Sequence, residues 1–135
     1  MMKYLCAYAA TLVVMVAIDL VWLGIVARPL YQQGIGHLMA EQANLTAAAI
    51  FYLVYVSFLV YLGVAPTAGE PGVKPAFIAG ALLGLFAYAT YDLTNLAVLR
   101  GWPIGLALID MAWGTLISGV ATAAGKFALD RFVAS

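Results

Sequence analysis

Three aspartates lie inside apolar segments of this chain, and they are the residues best suited to carry chemistry. Asp19, Asp92 and Asp110 each interrupt a run of hydrophobic side chains. Placing a carboxylate at the centre of a bilayer costs roughly 2.5–3.5 kcal/mol even on the lenient insertion scale. A chain keeps such groups only where protein, water or a ligand satisfies them. The sequence therefore predicts a buried polar site within apolar surroundings.

The composition excludes an ordinary soluble domain. Of the 135 residues, 66% are hydrophobic and only 9% are charged, whereas soluble domains carry about 25% charged residues. The formal net charge is zero, so nothing indicates a nucleic-acid partner. Cys6 is the single cysteine, which excludes an intramolecular disulfide and a cysteine-based metal cluster. One polytopic membrane domain over residues 1–135 is the expected organisation.

Four apolar segments are long enough to cross a bilayer as helices. Each reaches the ~20 residues that a hydrocarbon core of about 30 Å requires. They run over about residues 4–26, 44–64, 75–99 and 104–127. Prolines near their boundaries suit helix starts and stops. The sequence therefore predicts an all-α fold, a compact antiparallel four-helix transmembrane bundle.

Positive charge is divided unequally between the two ends of the predicted bundle. Four basic residues fall on one side and two on the other, namely Lys3, Lys74, Lys126 and Arg131 against Arg28 and Arg100. Because Lys and Arg accumulate on the cytoplasmic side, both termini are expected in the cytoplasm, although the narrow margin leaves dual topology open. The compactness of the chain favours a bacterial inner (cytoplasmic) membrane protein.

The three aspartates are predicted to share one depth in the membrane. Asp19 and Asp92 lie seven residues before the outer end of their spans, and Asp110 lies six after the start of its span. At 1.5 Å per residue, each is roughly 9–11 Å below the outer boundary. Matched depth favours one shared site over three unrelated interfacial groups. Three carboxylates so close together cannot all stay ionised without a partner.

Helical spacing predicts which faces of the spans meet. The third span carries a stripe of small and polar side chains at Gly80, Gly84, Tyr88, Asp92 and Asn95. The fourth carries a similar stripe at Asp110, Gly114, Ser118 and Thr122. The first places Tyr8, Thr11, Met15, Asp19 and Trp22 on one face. Since small residues let helix backbones approach closely, these three spans are expected to meet along the stripes.

Two tryptophans follow aspartates by three residues. Trp22 follows Asp19, and Trp113 follows Asp110; residues three apart share a helix face. Each indole N–H could donate to its own aspartate, or each pair could frame a cation. Trp102 lies at a span boundary and is assigned to an aromatic belt.

Further polar residues lie at the predicted outer rim. Arg28 and Arg100 follow aspartates by nine and eight residues, and each could snorkel outward or fold inward to a carboxylate. His37 belongs to the loop at 28–43, where a short interfacial helix could act as a lid. One histidine with carboxylates could bind a divalent metal, but the spacing matches no metal motif. Neither a metal site nor a cofactor is predicted.

Three sequence blocks carry most of these polar residues. They are DLVWLG at 19–24, YATYDLTN at 88–95 and DMAWGT at 110–115. With these blocks the chain resembles a bacterial family of small, four-helix, predicted inner-membrane proteins of unknown function. The resemblance covers nearly the whole chain. It implies four spans and marks the polar residues of the blocks, Tyr91 among them, as the family's hallmark, but it implies no reaction.

Several functions stay open at this level. The favoured one is binding or transport of a small cationic or proton-linked solute by the carboxylates and aromatic residues, since charge inside a membrane is usually functional. The alternative is an intramembrane enzyme acting on a lipid or isoprenoid, with an aspartate as general acid or base and Tyr88 or Tyr91 as a donor. A structural subunit is the third. Expected partners are membrane lipids and a small cationic solute or lipid ligand, and a homodimer could form.

Overall fold

The computed structural model describes residues 1–134, which contain helices and connecting turns without strands. The five α-helices are α1 (Met2–Val21), α2 (Arg28–Ile35), α3 (Leu45–Leu59), α4 (Lys74–Val98) and α5 (Ile104–Ala134). π-Helical turns at Trp22–Val26 and Val60–Val64 extend α1 and α3. Short 3₁₀ turns follow α2 at Gly36–Leu38 and the extended α3 at Ala65–Thr67. The all-α prediction is confirmed.

Four helical segments are long and apolar enough to cross a membrane. They are Met2–Val26, Leu45–Thr67, Lys74–Val98 and Ile104–Ala134. Large apolar side chains such as Val13, Phe86 and Leu116 are more than half exposed. This apolar outer surface suits contact with lipid, because a helix satisfies all of its backbone hydrogen bonds internally and needs no water around it. The prediction of four helices able to span a membrane is therefore confirmed.

The helix of the last span runs beyond the predicted boundary at 127, and it contains a buried charged residue. Lys126 has no exposed surface. Its Nζ donates to both carboxylate oxygens of Asp130, at 2.8 and 2.7 Å, and to the carbonyl oxygens of Glu70 and Gly72, at 2.8 and 3.1 Å. The loop between α3 and α4 thus folds over Lys126 and satisfies its ammonium. α5 continues past residue 127 to Ala134, and a charged residue can therefore lie inside the helix without facing lipid.

α4 and α5 form the most extensive helix pair. They run antiparallel and meet in steps of four residues: Gly80 with Thr122, Gly84 with Ser118, Tyr88 with Gly114, and Asp92 with Asp110. A Cβ atom added at Gly80, Gly84 or Gly114 would overlap the opposite helix. The two predicted stripes therefore pack directly against each other, and this seam brings two of the carboxylates together.

α1 packs on another side of α5, which is the central helix of the bundle. Thr11 lies against Gly125, and Asp19 of α1 accepts a hydrogen bond from Trp113 of α5. α3 packs against α1, where the Tyr8 hydroxyl donates to the Leu53 carbonyl at 3.0 Å. The polar face predicted for the first span thus faces the interior.

α2 is a short helix that covers one end of the bundle, called here the α2 end. Pro29 occupies its first turn, where a missing N–H costs nothing. Its buried Ile35 packs in a cluster with Trp102 and Leu106. Trp102 is therefore only 8% exposed. Its assignment to an aromatic belt is wrong, because α2 lies over it.

We expect Gly84→Ala to destabilise the protein. The added Cβ would overlap the Gly114 carbonyl oxygen and lie 2.6 Å from the Ser118 Cβ, and overpacking of this kind costs roughly 1–3 kcal/mol. Gly105 faces open space, so Gly105→Ala is the matched control and should be neutral or slightly stabilising. Thermal midpoints in a maltoside detergent measure both. Equal midpoints for the two variants would contradict the tight α4–α5 seam.

Candidate functional site

A cavity of about 390 Å³ lies between the helices at the α2 end. Its volume falls within the roughly 300–1,000 Å³ of small-molecule sites. All five α-helices or their extensions contribute to its wall. Seven of the lining residues are aromatic, namely Trp22, Tyr31, Phe51, Tyr52, Tyr88, Tyr91 and Trp113. Two are the carboxylic acids Asp19 and Asp110, and three are the aliphatic residues Leu23, Ala48 and Ala87. The wall is thus mainly aromatic, with acidic groups as its charged members.

Asp19 is held by donors from two other helices. The Tyr52 hydroxyl of α3 donates to one carboxylate oxygen in a short hydrogen bond, and Trp113 Nε1 of α5 donates to the other at 3.0 Å. Asp19 is only 5% exposed. Since carboxylate oxygens accept hydrogen bonds, each of the two oxygens of this buried group has a donor.

Asp110 is linked to the short helix that covers the cavity. The Tyr31 hydroxyl of α2 donates to Asp110 Oδ1 at 2.5 Å. Burial raises the pKa of Tyr31, and the neighbouring Asp110 carboxylate raises it further. A raised pKa keeps a phenol protonated to higher pH than usual, so Tyr31 remains a donor throughout the neutral range. The α2 segment is therefore tied to the site by a hydrogen bond.

Asp92 lies behind the cavity, beside Asp110. It is 1% exposed and does not line the cavity. Its carboxyl group interacts with that of Asp110 and lies near the Trp102 indole. Asp92 Oδ2 and Trp102 Nε1 are both buried without a hydrogen-bond partner. The three predicted carboxylates thus divide into two that face the cavity and one that supports it from behind.

Trp22 and Trp113 form one wall of the cavity. Their rings stack with centroids 4.2 Å apart and planes 9° from parallel. Trp113 donates to Asp19 rather than to Asp110 on its own helix, and Trp22 Nε1 is buried without a partner. The pairing predicted from the three-residue spacing therefore differs from the observed one. Stacking across two helices turns each indole towards its neighbouring helix.

The remaining predicted site residues fall into two groups. Tyr88 and Tyr91 line the cavity. Asn95 is half-buried, whereas Arg28, His37 and Arg100 are exposed, and none of these four lines it.

The charge of the site is one-sided. Within residues 1–134, the ion pair found is Lys126 with Asp130, far along α5 from the cavity, so no cationic side chain is paired with Asp19 or Asp110. Over the same range, no group of three or more His, Cys, Asp or Glu residues is placed to hold a metal ion.

Sequence reasoning missed the contributions of α2 and α3. Tyr31 and Tyr52 each hold a cavity carboxylate, and Phe51 adds an aromatic wall. A signal was present in the sequence, because Tyr52 and Tyr55 are three residues apart and share one face of their helix. Buried phenols need hydrogen-bond partners, so this face could have been expected to meet polar groups. Tyr55 indeed pairs with Ser118 Oγ at 2.6 Å.

Four spans around this cavity define an integral membrane protein. Residues 4–127 match the family described as "Predicted membrane protein (DUF2177)", and the chain belongs to that family. The match agrees with the uncharacterised membrane family that the sequence blocks resemble. No curated protein and no solved structure matches the chain.

We expect Tyr31→Phe to destabilise the protein by roughly 1–3 kcal/mol, since it removes a donor from a buried acceptor. Tyr61 is 70% exposed, and Tyr61→Phe is the matched control, with an expected change within about 0.5 kcal/mol. Thermal or denaturant unfolding in a maltoside detergent measures the difference. A Tyr31→Phe protein as stable as the control would show that this bond does not hold α2 in place.

Proposed function

We propose that the protein binds a small organic cation in the aromatic cavity at the α2 end. The observation that carries this proposal is the combination of two carboxylic acids with seven aromatic side chains in one cavity, where no cationic side chain among residues 1–134 pairs with either acid.

The charge of the cavity favours a cationic occupant. Asp19 and Asp110 are 5% and 6% exposed, so each carries a substantial desolvation cost when ionised. The groups that donate hydrogen bonds to them are neutral and leave the negative charge in place; they are Tyr52, Trp113 and Tyr31. Attraction between opposite charges grows as the dielectric falls. A cation that enters the cavity would therefore lower the cost of both buried carboxylates.

The aromatic wall favours an organic cation over a metal ion. A cation over the face of a Trp, Tyr or Phe ring gains about 0.5–1 kcal/mol at exposed sites and about 2 or more when desolvated. Ca²⁺ and Mg²⁺ instead need six or more oxygen ligands, and Mg²⁺ needs them in near-octahedral geometry. The cavity offers rings from all five helices but few oxygens. Alkylated or quaternary ammonium ions are the chemical class that suits it.

The rim of the cavity supports access from the apolar side of the bundle. Leu23, Phe51 and Tyr91 line the cavity and are each about half exposed. These residues belong to helical segments that can span a membrane. An amphiphilic cation dissolved in the bilayer could therefore reach the aspartates without first crossing a polar loop.

We expect tetraethylammonium to bind the purified protein and to change its tryptophan fluorescence through the Trp22–Trp113 stack. Asp19→Asn and Asp110→Asn should each weaken binding at least tenfold, about 1.4 kcal/mol, because each removes a buried countercharge. Measurements in an uncharged maltoside detergent avoid competition from charged head groups.

Two controls make this experiment specific. Triethylcarbinol, a neutral molecule with three of the four ethyl arms and a hydroxyl group in place of the fourth, should bind far more weakly than the cation. Glu70→Gln removes an exposed carboxylate outside the cavity and should leave affinity unchanged. Equal binding of the cation and the neutral molecule, or equal losses in Glu70→Gln and Asp19→Asn, would contradict the proposal.

A second function is favoured by the two tyrosine–aspartate hydrogen bonds, Tyr52 with Asp19 and Tyr31 with Asp110. Such pairs could transfer protons to and from a lipid or isoprenoid substrate. Incubation with a bacterial lipid extract, followed by mass spectrometry, separates the two functions. A lipid product that disappears in Tyr52→Phe would favour the enzyme, whereas cation binding without any product favours the binding protein.

We also propose that the protein resides in the bacterial inner membrane with both termini in the cytoplasm. Basic residues support this orientation, since they are more numerous at the ends of the spans opposite the α2 end. The loop bearing Glu41 would then face the periplasm, and the loop bearing Glu70 would face the cytoplasm.

Cysteine labelling tests this orientation in intact cells. In a Cys6→Ala background, a membrane-impermeant maleimide should label Glu41→Cys but not Glu70→Cys, since both positions are exposed in their loops. Labelling of both after the membrane is permeabilised is the control. Labelling of Glu70→Cys alone in intact cells would reverse the topology, and labelling of both there would indicate dual topology.

A further inference from the structure

Asp92 and Asp110 form a pair that a simple cation site does not require. They occupy the next four-residue step of the α4–α5 seam after Tyr88 and Gly114, and they are 1% and 6% exposed. Two ionised carboxylates in a medium of low dielectric repel each other strongly. Two carboxyl groups this close in an apolar interior therefore cannot both stay ionised without a partner.

Within the part of the chain that the structure describes, the groups around the pair provide no positive charge. The Tyr31 hydroxyl of α2 donates to Asp110, and Tyr88 and Tyr91 of α4 line the cavity together with Asp110 and Asp19. The Trp102 indole lies near Asp92. Arg28 and Arg100 are exposed and do not line the cavity. The surroundings therefore consist of neutral rings and one further carboxylate.

We propose that Asp92 and Asp110 share one proton, held on Asp92, and that a cation entering the cavity expels it. The second step rests on the proposed cation site. A protonated Asp92 becomes a hydrogen-bond donor to Asp110, which removes the repulsion within the pair. Asp92 Oδ2 is buried without a hydrogen-bond partner. If this oxygen carries the proton, it gains Asp110 as an acceptor.

The positions of the two groups suit an exchange. Asp110 faces the cavity and Asp92 lies behind it, so an arriving cation meets Asp110 first. The cation supplies the positive charge that the proton supplied before. The O–H bond of Asp92 breaks, its electron pair stays on the carboxylate, and the proton leaves to solvent, so one positive charge enters as another departs. The cavity thereby couples cation binding to proton release.

This exchange fixes the sign of the pH dependence. Protons compete with the cation, so affinity rises with pH wherever the free protein holds the proton and the complex does not. Linkage limits the slope to about tenfold in affinity per pH unit for one proton. Asp92→Asn cannot hold the exchanged proton, and its affinity should stay nearly constant between about pH 5 and 8.

Infrared spectroscopy tests the shared proton without any added ligand. Wild-type protein at neutral pH should show the C=O stretch of a protonated carboxylic acid, with its shift in D₂O. The band should be absent from Asp92→Asn and present in Asp19→Asn, the matched control on α1. A wild-type spectrum without this band overturns the shared proton, whatever the protein binds.

Calorimetry tests the expulsion. Tetraethylammonium is titrated into the whole protein in two buffers of different protonation enthalpy, and the difference in heat gives the protons released. Wild type should release up to one proton per cation, whereas Asp92→Asn should bind without release. Binding by wild type with no release overturns the exchange and leaves the cation site standing. Absence of binding by wild type overturns the proposed function and, with it, the expulsion. Neither wild-type result depends on the folding of a variant.

Discussion

The burial of acidic side chains among apolar helices is the constraint on which the rest of this structure depends. Asp19, Asp92 and Asp110 are each at most 6% exposed, and each must find compensation inside the bundle. Asp19 accepts hydrogen bonds from a tyrosine of α3 and a tryptophan of α5. Asp110 accepts a hydrogen bond from a tyrosine of α2. Satisfying two carboxylates thus links four helices around a single cavity.

The α4–α5 seam sets the third carboxylate in its place. Glycines at positions 80, 84 and 114 leave no room for a side chain between the helices, and the antiparallel register carries this close approach up to Asp92 and Asp110. A seam built only for packing could continue with alanine or serine at these two positions. Two acids there oppose folding unless a proton or a cation accompanies them. Their position beside an aromatic cavity is the reason to assign them a function.

Much of this architecture was predictable because helix periodicity and hydropathy are local properties of the sequence. The four spans and the stripes from Gly80 to Asp92 and from Asp110 to Thr122 follow from spacing alone. The partner of each polar group does not, since periodicity tells which residues share a face and not which helix that face meets. Trp113 therefore pairs with Asp19 rather than Asp110. Tyr52 lies in a span without charged residues, so the sequence did not mark it as a partner of Asp19. Lys126 has the position of a boundary residue in the sequence, but the loop that contains Glu70 folds over it.

The central claim is that the aromatic cavity receives an organic cation between its two carboxylates. The most direct test is a crystal structure with tetraethylarsonium, in which arsenic replaces the nitrogen of the ammonium ion and can be located by its anomalous scattering. We expect one arsenic peak inside the cavity, bounded by the Trp22–Trp113 stack and facing Asp19 and Asp110, and no peak there in Asp110→Asn. A cavity filled by a lipid acyl chain, with arsenic found only on the outer surface, would contradict it.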